Sequence, residues 1–121
     1  MKLEVHSVKN QGDAKKEYVL LLAKEDCNIG SFFIVDNTYD NSGQPSNKLR
    51  HTYFFPSTTV KKGHYVVLYT TSGKNGTGTV GNVPCHIFYW GLGNSVWNDT
   101  GDIVHLIEIS NISKHRVTPK A

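Results

Sequence analysis

Short runs of β-branched and aromatic residues recur along this chain, each closed by Gly, Asn, Asp, Ser or Pro, and helical periodicity is almost absent. That pattern restricts the chain to strands joined by turns. The runs predict strands at Leu3–Val8, Glu17–Ala23, Phe32–Asp36, His51–Phe55, His64–Thr70, Cys85–Trp90 and Asp102–Ile109, with a short addition at Thr58–Val60. Roughly seven to nine strands with polar turns between them predict an all-β fold, an immunoglobulin-like antiparallel β-sandwich. Two polar stretches, Asn37–Arg50 and the glycine-rich Thr71–Val83, read as long loops. Residues 1–110 read as one sandwich domain and 111–121 as a polar, basic tail.

A chain of 121 residues can bury a core without metals or disulfides to hold it. Its composition, 38% hydrophobic and 19% charged, excludes disorder, and its net charge of +3 is far from the lysine-rich surface of a dedicated DNA binder. Cys27 and Cys85 are too few for a disulfide scaffold, and the sequence leaves open whether they form one bridge or stay as thiols. No apolar run follows Met1-Lys2, so the start does not read as a signal peptide, and no segment approaches the roughly 20 apolar residues that span a bilayer. If Met1 is the native start, a cytoplasmic protein with reduced thiols is expected; for a fragment of a longer chain that expectation lapses.

Candidate chemistry is sparse. Gly76-Thr-Gly-Thr-Val-Gly81 has the letters of a dinucleotide-binding turn, but the last glycine should open a helix, and Asn82-Val-Pro84 and another apparent strand follow instead. The six histidines and two cysteines show no zinc-ligand spacing. No serine or cysteine sits in a nucleophile motif, and Asp99 and Asp102 read as turn caps. No catalytic residue, metal ligand or cofactor site is predicted.

Residues 86–108 hold both tryptophans. Asn98-Asp-Thr-Gly101-Asp102 has hairpin-turn chemistry, Trp97 before it can plug the end of a sandwich, and the glycines after Trp90 permit a sharp bend. Four pieces in order resemble the lamin tail domain family, the immunoglobulin-like modules of nuclear lamins and many bacterial proteins: Glu17-Tyr-Val-Leu-Leu21, Phe32-Phe-Ile-Val-Asp36, Val60-Lys-Lys-Gly-His-Tyr-Val-Val-Leu68, and Tyr89-Trp-Gly91 with Val96-Trp-Asn-Asp-Thr-Gly-Asp102, Val104 and Leu106. The last piece is the most specific, and coverage runs over about residues 3–109. The chain departs from the family in carrying Phe32 where a tryptophan is usual and a longer segment at 37–50. It also shows no heptad rod and no fused nuclease or hydrolase, so neither filament assembly nor the activity of multidomain relatives carries over, and a bare, bacterial-type stand-alone module is expected. The resemblance implies structural roles for Tyr89, Trp90, Trp97, Asn98, Gly101 and Asp102.

Alternation leaves one anomaly. With Val104 and Leu106 inward, as the resemblance implies, Ile103, His105 and Ile107 face outward; with Val19 and Leu21 inward, Tyr18, Leu20 and Leu22 face outward. These six are the candidate partner surface, unless the 37–50 segment or the tail covers them. Lys15, Lys16, Lys61, Lys62, Lys114, Arg116 and Lys120 lie in turns or at the end, as candidate polyanion contacts. The leading reading is therefore a non-catalytic adaptor module that binds a protein partner or itself. Weak, salt-dependent nucleic-acid binding ranks second and an enzyme last; no membrane contact and no small-molecule substrate are evident.

Overall fold

The computed structural model describes residues 1–39, 45–97 and 102–120. The chain is an all-β sandwich, but one of its sheets is mixed rather than wholly antiparallel as expected. Its strands are β1 (Leu3–Lys9), β2 (Tyr18–Ala23), β3 (Cys27–Asn28), β4 (Phe32–Tyr39), β5 (Pro45–Phe54), β6 (Thr59–Val60), β7 (Tyr65–Tyr69), β8 (Gly76–Val80), β9 (Val83–Tyr89) and β10 (His105–Glu108). A five-stranded sheet in the order β1-β2-β7-β9-β8 faces a three-stranded sheet in the order β10-β4-β5, and β3 pairs with β6 as a small separate ribbon. Among the described residues the only helix is one 3-10 turn at Ile29–Ser31, where the Asn28 side chain accepts from the Gly30 amide.

The period-2 alternation places the core. Val19 and Leu21 on β2, Val66 and Leu68 on β7, and Phe88 on β9 pack against Phe32 and Ile34 on β4, with Phe55 and Trp97 filling one cluster. Phe55, Phe88 and Tyr53 meet edge-on or tilted, with ring centroids 5.3–6.4 Å apart. Burial extends beyond this layer, because Leu20, Val67 and Cys85 form a second, smaller cluster on the opposite face of the five-stranded sheet.

Two segments differ from the loops their composition predicts. Within 37–50, β4 continues to Tyr39 and β5 starts at Pro45, extending a hairpin whose register shifts at Asp36/Asn37 and again at Asn37/Tyr39. Ladder hydrogen bonds come from the backbone, so a polar sequence can continue a strand once pairing has begun. Within 71–83, the glycine-rich stretch forms β8, an edge strand paired with β9 through the two-residue turn Gly81-Asn82. There the glycines make room: a Cβ on Gly78 would stand 3.0 Å from Ile87 Cδ1. The hairpin is folded back so that β9, not β8, lies beside β7, and β7 and β9 run parallel while the other strand pairs are antiparallel.

One buried carboxylate ties this architecture together. Glu17, just before β2, is 0% exposed. Its Oε1 accepts from the Gly12 amide at 3.0 Å and from Ser95 Oγ at 2.7 Å. Its Oε2 accepts from Thr70 Oγ1 at 2.5 Å, the Val96 amide at 2.8 Å and the Trp97 amide at 3.3 Å. Burial pushes the carboxyl pKa upward, but the hydrogen bonds from Thr70, Ser95, Val96 and Gly12 outweigh it and hold the group below its ordinary value. A pKa lower in the folded state than in the unfolded chain stabilises the fold above the unfolded value, near 4.5, and that stability is lost as pH falls through the folded value. Glu17→Gln keeps the shape but removes the charge and turns an amide group toward donors. It should cost about 3 kcal/mol in urea unfolding at neutral pH. The deficit relative to wild type should shrink as pH is taken below 4.5.

Candidate functional site

The outer face of the five-stranded sheet is paved with tyrosine. Register puts Lys9, Tyr18, Tyr69 and Tyr89 in one cross-strand row over β1, β2, β7 and β9. Tyr18 and Tyr69 are tilted with centroids 5.2 Å apart, and Tyr69 and Tyr89 stack at 5.2 Å with planes 14° apart. The next row is Ser7, Leu20, Val67 and Ile87, and beyond it Leu22 pairs with Tyr65, which meets His6 edge-on at 6.0 Å. This paving explains why Leu20, although it points away from the main core, is only 4% exposed: tyrosines 18, 65 and 69 pack around its cluster. Burial chiefly, and then the neighbouring Tyr18 and Tyr89, push the Tyr69 hydroxyl up, so it stays protonated at neutral pH.

Along this row, beside the β1–β2 loop, lies a pocket of about 360 Å3 lined by Asn10, Lys15, Lys16, Tyr18, Tyr69, Thr71 and Tyr89. The loop is pinned from within. Asp13 O accepts from the amides of Lys16 (3.1 Å) and Glu17 (2.7 Å), Asp13 Oδ1 accepts from the Lys15 amide (3.1 Å), and the Asn10 side chain donates to Lys16 O (3.4 Å). Asn10 and Gly12 take the positive φ values, 53° and 91°, that so tight a path requires. Glu17 fastens the loop to the sandwich through the Gly12 amide. At the Tyr89 end of the row, Gly73 lies against the ring so closely that a Cβ there would fall 2.4 Å from Cε1.

The six candidate partner residues therefore do not make one surface. Tyr18, Leu20 and Leu22 belong to the tyrosine face, and Leu20 is buried within it. His105 and Ile107 lie on the opposite, outer face of the three-stranded sheet, with Ile103 just before β10. There Ile107, Phe33 and Phe54 form a row across all three strands, Phe33 and Phe54 stack at 4.7 Å, and His105, Val35 and Thr52 form the adjoining row. Phe54, Ile103 and Ile107 are 58%, 48% and 37% exposed. The Nδ1 of His105 is buried without a hydrogen-bond partner among the described residues.

The basic candidates are also dispersed. Lys15 and Lys16 stand at the Tyr18 end of β2, whereas Lys61 and Lys62 lie in the turn at its Ala23 end, where Lys62 N donates to Asp26 Oδ1 and Gly63 N to Ala23 O. The six residues of β2 separate the two pairs by about 20 Å. Lys114, Arg116 and Lys120 are exposed in the tail. Trp97 is buried in the core cluster with Trp90 packed against it, centroids 6.2 Å apart. Tyr89 parts from these tryptophans to join the tyrosine row. Asn98 and Gly101 lie outside the described residues; Asp102 is half-buried.

Sequence reasoning missed the convergence of Tyr69 and Tyr89 on Tyr18, and it missed the pairing of buried Asp36 with His51. Asp36 Oδ1 is 3.0 Å from His51 Nδ1 and accepts from the His51 amide at 2.9 Å, while the imidazole meets Trp90 edge-on at 6.2 Å. Burial raises the thiols of Cys27 and Cys85 above their ordinary value, and both are free. Among the described residues no three of His, Cys, Asp and Glu come together as a metal site, and no helix is long and apolar enough to cross a membrane. Compared with family models, curated proteins and solved structures, the chain matches none.

The close approach of Gly73 to Tyr89 gives a local test. Gly73→Ala should swing the Tyr89 ring off Tyr69, removing the Tyr69 ring-current shifts in NMR spectra, while stability changes by less than about 1 kcal/mol because the ring is half-exposed and free to move.

Proposed function

We propose that this chain is a non-catalytic protein-contacting module that associates with a second copy of itself through the outer face of its three-stranded sheet. The observation that supports it is the apolar row of Phe54, Phe33 and Ile107, in which Phe54 and Ile107 are exposed and Phe33 is half-buried. Neither this row nor the adjoining one, His105, Val35 and Thr52, contains Lys, Arg, Asp or Glu. Depletion of charge at the centre of an apolar patch is the composition of an interface core rather than of a solvated sheet face. A sheet face of this kind fits another sheet face, and two identical rows related by a twofold axis meet like with like. The resemblance to lamin tail domains, modules without catalytic machinery of their own, points the same way.

Sedimentation equilibrium over a range of protein concentrations tests this. Wild type should dimerise, and Phe54→Ser with Ile107→Ser should yield a monomer with nearly unchanged thermal stability, because both side chains are already exposed. A wild-type chain that stays monomeric throughout would sink the reading.

A further inference from the structure

The pocket along the tyrosine row has a one-sided chemistry. Lys15 and Lys16 bring two ammonium groups to its wall, and the exposed Lys9 stands in the same cross-strand row as Tyr18. The two carboxylates of the loop do not line it: Glu17 is buried and held by amide and hydroxyl donors, and Asp13 receives the Lys15 amide. An anion is therefore the favoured occupant. The lysines are carried on a loop closed by its own hydrogen bonds, so ordering that backbone on binding costs little.

The aromatic side of the pocket narrows the ligand class. Tyr89 is closed on one side by Gly73 and stacked on Tyr69 on the other. Tyr18 ends the aromatic series: Tyr69 is its ring neighbour, and on the other side the row continues as Lys9. A ligand that offers a flat ring to Tyr18 and a regularly spaced anion to adjacent lysines matches both walls at once, and a nucleic-acid strand has that repeat. Bases in a duplex are already stacked and paired, so only an unpaired strand can offer one to a side chain on a sheet face. Asn10 and Thr71 add polar groups at the pocket wall.

We propose that this pocket binds single-stranded nucleic acid, with successive backbone phosphates on Lys15 and Lys16 and a base against Tyr18 at the end of the tyrosine row. The site lies on the opposite side of the sandwich from the Phe54–Ile107 face and does not depend on self-association.

Fluorescence anisotropy with a short labelled oligothymidylate and the full chain, over a salt series, tests the assignment. Wild type should bind with a slope of log affinity against log salt of about −1.4, the value for two phosphate contacts on a single strand. Lys15→Ala with Lys16→Ala should flatten that slope toward zero. Tyr18→Leu should weaken binding by about tenfold with the slope unchanged, as loss of one stacked base does. Lys61→Ala with Lys62→Ala, at the far end of β2, should alter neither. Thermal melts of each variant separate lost binding from lost folding. The proposal is overturned by any of four results: no salt-dependent binding, sensitivity to the Lys61/Lys62 pair instead of Lys15/Lys16, equal affinity for a duplex of the same length, or preferential binding of an acidic oligosaccharide such as oligogalacturonate. Phe54→Ser with Ile107→Ser should leave oligothymidylate binding intact, so this proposal and the self-association reading fail independently.

Discussion

The Glu17 carboxylate is the constraint on which the rest of the molecule depends. A buried anion is tolerated only where donors replace the water it has lost, and here three backbone amides and two hydroxyls do so. Those donors come from parts of the chain far apart in sequence: the β1–β2 loop, the end of β7 and the segment leading into Trp97. The tryptophan that fills the core cluster is thus held by its own amide as well as by packing. The same carboxylate sits between Lys16 and Tyr18 in sequence, so the group that closes the sandwich also sets the position of the basic loop against the tyrosine row.

The two outer faces divide the chemistry. On the three-stranded sheet, exposed aromatic and aliphatic side chains meet solvent without charge among them. On the five-stranded sheet, apolar residues are present but covered, because tyrosine rings pack around Leu20 and Val67. A face paved this way is amphipathic, and its rings have few rotatable bonds to immobilise on contact. The faces are built on separate sheets with the core between them, so a ligand on one does not obstruct the other.

Part of this fold was legible in the sequence: Val19 and Leu21 turn toward the core as alternation has it, and Val104 and Leu106, which the resemblance placed inward, pack against it. What stayed hidden was set by partners rather than by local pattern. Glycines at 76 and 78 argue against a strand until Ile87 and Cys85 are known to lie opposite them. The polar segment after Asp36 gave no apolar signal, yet the backbone ladder carries the hairpin on to Tyr39 and Pro45. The tyrosine row joins positions 18, 69 and 89, which only the sheet order brings side by side. Glu17 read as the first residue of a strand, since its donors at 70 and 95–97 are remote in sequence. The six outward residues were each assigned from alternation within one strand, which cannot tell which sheet a strand will join.

The parallel neighbours β7 and β9 also constrain the order in which the chain can assemble. Antiparallel neighbours can zip from a turn, but β9 reaches β7 only after the chain has run out through β8 and back. The β8–β9 hairpin closes over a two-residue turn and is local, so it can form early, whereas its docking on β7 closes a longer loop and pairs the strands in parallel. Until that docking the Tyr69 side of β7 is an open sheet edge, and Leu20 and Val67 lack the cover that Ile87 and Cys85 provide. Docking of the hairpin thus covers an apolar sheet edge for which an unfolded neighbour could otherwise compete.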